Sequence, residues 1–255
     1  MTSLFQILAV AERHPDGFAF DIPANWMQGR TAYGGLSSAL ALHSAHAVAP
    51  DLPALRTAQI SFVGPLAGRA TARSQLLRRG RTAAFIRTDI YGEAGLALSA
   101  TFVFMDALAS HIDHVDLPAP SVFPESVAAH VPREAPEFTR NFDHFDAGTD
   151  RASADLIRWT RLKERDGVDP MTALIAIGDA LPPGALCLAH ERGPISSMTW
   201  LINLLTPTPA TTDGWWLLRS RADYARNGCS SQVMTIWNRD GTPVATGMQS
   251  VALFI

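Results

Sequence analysis

The sequence predicts an α+β protein made of two similar halves, each an α-helix wrapped by an antiparallel β-sheet. The first observation behind this is a near repeat. LRTAQISFVGPL and RTAAFIRTDIYGEAGLALSATFVFM in residues 55–105 have counterparts in MTWLINLLTPTP and YARNGCSSQVMTIWNRDGTPVATGMQSVALFI in residues 198–255. With Pro65 laid on Pro207 and Gly95 on Gly241, apolar positions and turn glycines fall into step. The second is the order of patterns in each copy, an apolar helical stretch followed by a meander of strands. The third is bulk: 255 residues, 47% of them hydrophobic, can bury a large core.

Phe18 to Ile22 alternates apolar and polar residues, and turn formers then lead to the pair Gly34-Gly35, so a strand and a loop are expected. LSSALALHSAHAV, from Leu36 to Val48, lacks glycine and proline and stops at Ala49-Pro50, which predicts a helix of about three and a half turns. Its alanines allow close approach, so it should be buried against the sheet. Strands follow at Thr57–Val63, Ala70–Arg79, Thr82–Tyr91 and Leu96–Phe104, the last two joined by the turn Gly92-Glu93-Ala94-Gly95. Residues 107–137 carry Pro118, Pro120, Pro124, Pro132 and Pro136 and no clear period, as expected of a linker between units at 1–106 and 138–255.

The second half restarts near Phe138. Strands are expected at Phe138–Phe145 and Leu156–Leu162, a helix around Pro170–Ala180, and strands at Ile195–Leu205, Trp215–Tyr224, Ser231–Asn238 and Val244–Phe254. Trp215 and Trp216 should place one ring on each face of their strand. Two such units joined edge to edge give one continuous sheet and cover two exposed edges.

The net charge of −3 offers no global field for nucleic acid or an anionic membrane, so an anionic ligand must be held locally by a few arginines. Cys187 and Cys229 are too few for a disulfide framework and are expected to be reduced, buried apolar residues. The start MTSLFQILAVAERHPDG shows no basic region before its apolar run, and no apolar stretch is long enough to span a bilayer, so a cytoplasmic protein is expected. Neither a nucleophile-elbow Gly-x-Ser-x-Gly nor a phosphate-binding P-loop is present. His111 and His114, with Asp113 and Asp116, lie in the proline-rich stretch without a helix to align them, and no metal is expected there. His43 and His46 are read as packed or surface residues.

At AYGGLSSALAL, FVGPL, LLTPTP, GWWLLRSRADYARNG and WNRDGTPVATGMQSVAL the chain resembles the double hot-dog acyl-CoA thioesterases of the bacterial acyl-CoA thioesterase II type. The resemblance implies two hot-dog units in one chain and hydrolysis of an acyl-CoA in lipid metabolism, without metal or cofactor. It implies a homodimer or higher homo-oligomer as a possible assembly. Its aspartate falls on Asp179, its late glutamine on Gln249, and its hydroxyl on Ser197, with Ser196 and Thr199 as neighbouring alternatives. At Asn203 and Thr206 the chain departs from a His and an Arg common in that family, which bears on substrate contacts. Gly34-Gly35 resembles the family's Phe-Gly-Gly approach into the first helix. Trp26 is a candidate for lining an acyl pocket, and the basic turn at Arg79 and Arg81, ordinarily solvated, could bind CoA phosphates.

A carboxylate at the end of an apolar helix is partly desolvated and can take a proton from water, while a glutamine and a hydroxyl fix that water. Direct attack by the carboxylate is a variant of the same chemistry. In the first copy Val103 stands opposite Gln249 and no carboxylate follows Gly34-Gly35, so one half should be chemically equipped and the other should shape the pocket. Two rivals stand beside hydrolysis: a non-catalytic acyl-thioester-binding protein, and a hydratase or dehydratase on the same fold, for which no suitable Asp-x-x-x-x-His is present.

Overall fold

The structure is a computed structural model that describes residues 1–124, 135–150, 152–191 and 193–255. Helix α1 spans Leu4–Ala9, α2 spans Gly34–His46 and α3 spans Pro170–Gly178. The strands of the first half are β1 (Glu12–His14), β2 (Gly17–Asp21), β3 (Met27–Gln28), β4 (Thr31–Ala32), β5 (Leu55–Phe62), β6 (Arg69–Arg79), β7 (Ala83–Gly92) and β8 (Gly95–Met105). Those of the second are β9 (Phe142–Asp146), β10 (Asp155–Leu162), β11 (Ile195–Leu204), β12 (Trp216–Arg226), β13 (Cys229–Asn238) and β14 (Pro243–Leu253). All but β3 and β4 belong to one 12-stranded sheet, ordered β1-β2-β6-β7-β8-β5-β11-β14-β13-β12-β10-β9. The expected α+β architecture, two helices inside a single antiparallel sheet, is what the chain forms.

The halves meet at β5 and β11, paired from Thr199 with Ser61 to Asn203 with Thr57, and the Thr57 hydroxyl donates to the Ile202 carbonyl at 3.0 Å. Helix α2 buries nearly every residue from Gly35 to Ala45, because its alanines and serines let strands close on all sides. It begins at the glycines, two residues earlier than the apolar pattern suggests, and ends before Ala49, whose helical conformation Pro50 disfavours. Helix α3 is fixed at its start by Asp169, whose carboxylate accepts from the Thr172 N–H at 2.8 Å, and by Pro170 in the first turn.

Several local expectations give way. The N-terminal apolar run is helix α1, closed by a capping box in which the Ser3 hydroxyl accepts from the Gln6 N–H and the Gln6 side chain accepts from the Ser3 N–H. The strand expected from Phe138 begins only at Phe142, since Glu137–Asn141 forms a 3-10 turn. That turn stacks Phe138 on Tyr33 at 4.1 Å and bonds Asn141 to Asn25. Cys229, expected to be buried, is exposed at the start of β13, and Cys187 is half-buried; neither is in a disulfide.

Trp215 and Trp216 do split across the sheet, Trp216 into the main core and Trp215 into a separate outer cluster with Ile157, Trp159, Leu217 and Trp237. Part of the proline-rich stretch, Ala119 and Phe123, packs on this outer cluster. Phe123 sits edge-on to Phe145 and Trp159, the Arg239 guanidinium lies 4.1 Å from its ring centre, and the Trp237 indole donates to the Leu117 carbonyl at 2.8 Å. Residues 117–123 are therefore docked on the outside of the second half although they form no helix or strand, while 106–116 are exposed. Pro132 lies outside the described residues. Phe123→Ala should destabilise the chain by about 2 kcal/mol, read from the urea midpoint, by removing a ring from a multi-aromatic contact; an unchanged midpoint would show that this stretch contributes no stability.

Candidate active site

Asp179 caps the C-terminal end of α3, and its carboxyl group meets the N-terminus of α2. A Cβ built on Gly34 would lie 2.5 Å from Asp179 Oδ2, so only glycine lets the carboxylate come this close to the helix. The Gly35 N–H donates to the same carboxylate, which adds the positive end of the α2 dipole. The two helix ends are locked by the Tyr33 hydroxyl, which donates to the Ala176 carbonyl at 2.7 Å. On the other side, Gln249 Nε2 donates to Asp179 Oδ1 at 2.8 Å and to Ser197 Oγ at 3.1 Å.

The position of Ser197 depends on an irregularity in β11. Pairing with β14 runs from Ser197 with Val251 to Thr199 with Ser250, so Met198 is an extra residue and the alternation of faces is reversed across it. Ser197 thereby shares the inner face with Trp200, Ile202 and Leu204, while Ser196 and Thr199 are exposed. Of the three hydroxyls left open by the sequence, the one brought to Gln249 is Ser197.

Burial pushes the Asp179 carboxyl up to about 7, against the Gln249 amide and the Gly35 N–H, which favour the ionised form. Asp179 as a whole residue is only 8% exposed, so little water is available to restore its ordinary acidity. A base poised near neutrality, with two fixed donors and a hydroxyl beside it, can take a proton from a water molecule.

Gly34 and Gly35 are thus at the site, but three other candidates are not. Trp26 is fully buried, its indole donating to the Thr2 carbonyl at 2.9 Å and its ring 6.3 Å from Tyr33, so it touches the site only through Tyr33. Arg79 and Arg81 are at the other end of the strands. Arg79 pairs with Ala84, Ala84 with Phe104 and Phe104 with Leu55, whereas the glycines of the site abut Phe62. Leu55 to Phe62 is roughly 23 Å of strand at about 3.3 Å per residue, and Arg79 donates to the Asp51 carbonyl there at 2.9 Å. His111 and His114 are exposed in the irregular stretch.

The register also corrects the comparison of the halves. Trp200 faces Gln249 in the second half and Ala58 faces Phe102 in the first, so the counterpart of Gln249 is Phe102 and not Val103. Phe102 is fully buried. The carboxamide of one half is replaced by a phenyl ring in the other, which keeps the first half's equivalent position apolar.

A second row of polar side chains behind Gln249 went unread. Gln232 Nε2 donates to Gln249 Oε1 at 2.6 Å, while Gln232 Oε1 accepts from the Ser220 hydroxyl at 2.9 Å and the Gly184 N–H at 3.1 Å. The signal was inward alternation of Ser230, Gln232 and Met234 in β13, which in sequence resembles any half-polar strand.

Residues 22–105 match the acyl-CoA thioesterase N-terminal domain and residues 116–253 match the acyl-CoA thioesterase C-terminal domain. The chain belongs to the acyl-CoA thioesterase family. This thioester hydrolase shares its fold with a hot-dog protein of unknown function from Alicyclobacillus acidocaldarius, at 20% identity, TM-score 0.84, and 100% and 99% coverage of the two chains. An acyl-CoA thioesterase II from Mycobacterium marinum is similar at 17% identity, TM-score 0.76, and 97% and 96% coverage. The tesB protein of Mycobacterium avium subspecies paratuberculosis gives 19%, 0.78, and 98% and 97%. No curated protein matches the thioesterase significantly. No helix among its described residues is long and apolar enough to cross a membrane.

Proposed function

We propose that this protein hydrolyses an acyl-CoA to the free acid and CoA by attack of a water molecule on the thioester carbonyl, with Asp179 as general base. The observation that carries the reading is the single contact set in which Gln249 bonds both the buried Asp179 carboxylate and Ser197, against the N-terminus of α2. Asp179 takes the water proton as the water oxygen bonds to the carbonyl carbon. The Ser197 hydroxyl accepts from Gln249, and its own proton is left to orient that water. The positive end of α2 lies where negative charge grows on the carbonyl oxygen. Collapse of the tetrahedral intermediate expels the CoA thiolate. In this reading residues 1–106 and 138–255 are the two hot-dog units, 107–137 joins them, and the chemistry belongs to the second unit, with the first helix lending its N-terminus.

The test is free-thiol release from a panel of acyl-CoAs, short to long and aromatic. Release from at least one is expected; binding without release from any would favour an acyl-thioester-binding protein. The rate should also titrate with Asp179. The base is active when ionised, so kcat/KM should rise with pH to a plateau, with an apparent pKa of about 7 and a roughly tenfold fall per unit well below it. A flat profile between pH 5 and 8 would remove Asp179 from the role of base.

A further inference from the structure

We infer that Gln232 is a positioning residue for the proposed hydrolysis, setting which way round the Gln249 amide is held and hence presenting its N–H groups, not its carbonyl, to Asp179 and Ser197. The inference rests on the reading of those three residues as the reacting site. It starts from a group with no choice: the Gly184 backbone N–H can only donate. It lies 3.1 Å from one side-chain atom of Gln232 and 3.1 Å from Ser220 Oγ. The Gln232 atom facing it is therefore the carbonyl oxygen, which the Ser220 hydroxyl also reaches at 2.9 Å. With its oxygen held by two donors, Gln232 must turn its NH2 toward Gln249, 2.6 Å away.

Gln249 then has one orientation. Its oxygen accepts from Gln232, and its NH2 faces Asp179 Oδ1 and Ser197 Oγ. Both hydrogens of that NH2 are used, one on each partner. Without Gln232, a half-turn of the Gln249 amide would set its carbonyl against the carboxylate and offer Ser197 an acceptor, sending the Ser197 proton away from the substrate. Nothing local prevents that turn whenever Asp179 is protonated and can itself donate. Gln232, 0% exposed and tied to the backbone, holds the amide in place through both protonation states of Asp179. The first half lacks this relay: the register places Ile86 and Phe102 where the second half has Gln232 and Gln249.

The test compares the wild type with Gln232→Glu, Gln232→Met and Met234→Ala. A carboxylate at 232 can only accept, so it draws the Gln249 NH2 toward itself and turns the carbonyl on Asp179. Gln232→Glu should lower kcat at least about tenfold with KM nearly unchanged, and move the acid limb of the pH–rate profile to higher pH, because Asp179 loses a donor. Gln232→Met, of similar length and without polar atoms, should do the same more weakly, even if the buried charge of the first variant impairs folding. Met234→Ala, two residues along the same buried face, lowers stability without touching an amide and should leave the acid limb where it is. A second readout needs no turnover: in protein labelled with 13C at the aspartate carboxyl carbons, the signal missing from Asp179→Asn belongs to Asp179. Its midpoint should rise in both Gln232 variants. An unmoved midpoint and acid limb, with any rate loss matched by Met234→Ala at equal loss of stability, would overturn the inference. If the wild type releases thiol from no acyl-CoA, the hydrolysis reading fails by itself, while the 13C titration still decides the role of Gln232.

Discussion

Asp179→Asn should lower kcat for thioester hydrolysis by at least about a hundredfold, since loss of a positioned general base typically costs two to four orders of magnitude. The asparagine oxygen can still accept from Gln249, so the hydrogen bond at 2.8 Å has a substitute and the fold should persist. What vanishes is the capacity to hold a proton. The same substitution should change stability in a pH-dependent way. The Asp179 carboxyl titrates near 7 when folded against 3.8 in the unfolded chain, so the folded chain holds an extra proton between these values. Wild-type stability contributed by the neutral carboxyl is fully present below about pH 4 and lost as pH rises through 7, up to about 4 kcal/mol. Asparagine has no such titration. Urea unfolding at pH 5 and pH 8 should show the variant gaining on the wild type as pH rises; parallel behaviour would mean that Asp179 is not held neutral by burial.

Gly35→Ala should be among the most damaging changes outside the reacting groups. A Cβ there would lie 2.4 Å from the Ala176 carbonyl oxygen and 2.5 Å from the Tyr33 ring, both fully buried. The first is backbone, and the end of the Tyr33 ring is held in place by its bond to that same carbonyl, so α2 and α3 must separate. Separation loosens the Tyr33–Ala176 bond and the Gly35 N–H contact to Asp179 together. We expect a loss of about 3 kcal/mol and a fall in Tm of about 10 °C for a chain of this size, with lower activity in the folded fraction. Gly80→Ala is the matched control: its Cβ would meet only the Ala83 carbonyl, at an ordinary 3.5 Å, and Tm should hardly move. Equal behaviour of the two variants would contradict the close crossing of the helices at the site.

The strands were readable because they alternate over long runs. In β7, for example, Ala84, Ile86, Thr88 and Ile90 point inward and their neighbours outward. Helix α2 was readable because an alanine-rich run stops at a proline. The site was legible only through resemblance. Ser197 could not be separated from Ser196 and Thr199 because the extra residue at Met198 reverses which positions face inward, and a bulge leaves no mark in composition. The counterpart of Gln249 was misplaced for another reason, a difference in turn length: Gly92 pairs with Gly95, but Asn238 bonds to Thr242, one residue further on, so laying Gly95 on Gly241 sets the last strands one residue out of step. Phe123 and Leu117 looked like linker because their partners are on strands distant in sequence. Gln232 was hidden for a related reason, since a buried glutamine differs from an exposed one only by what faces it.

The most direct measurement of the central claim is a single turnover in H2 18O, with enzyme in excess over a hydrolysed acyl-CoA, followed by mass spectrometry of both acid and quenched protein. Water attack assisted by Asp179 predicts one 18O in the acid from the first turnover and no acyl adduct on the protein. Unlabelled acid, or an acyl mass on the peptide carrying Asp179, would show instead that the carboxylate itself attacks the thioester.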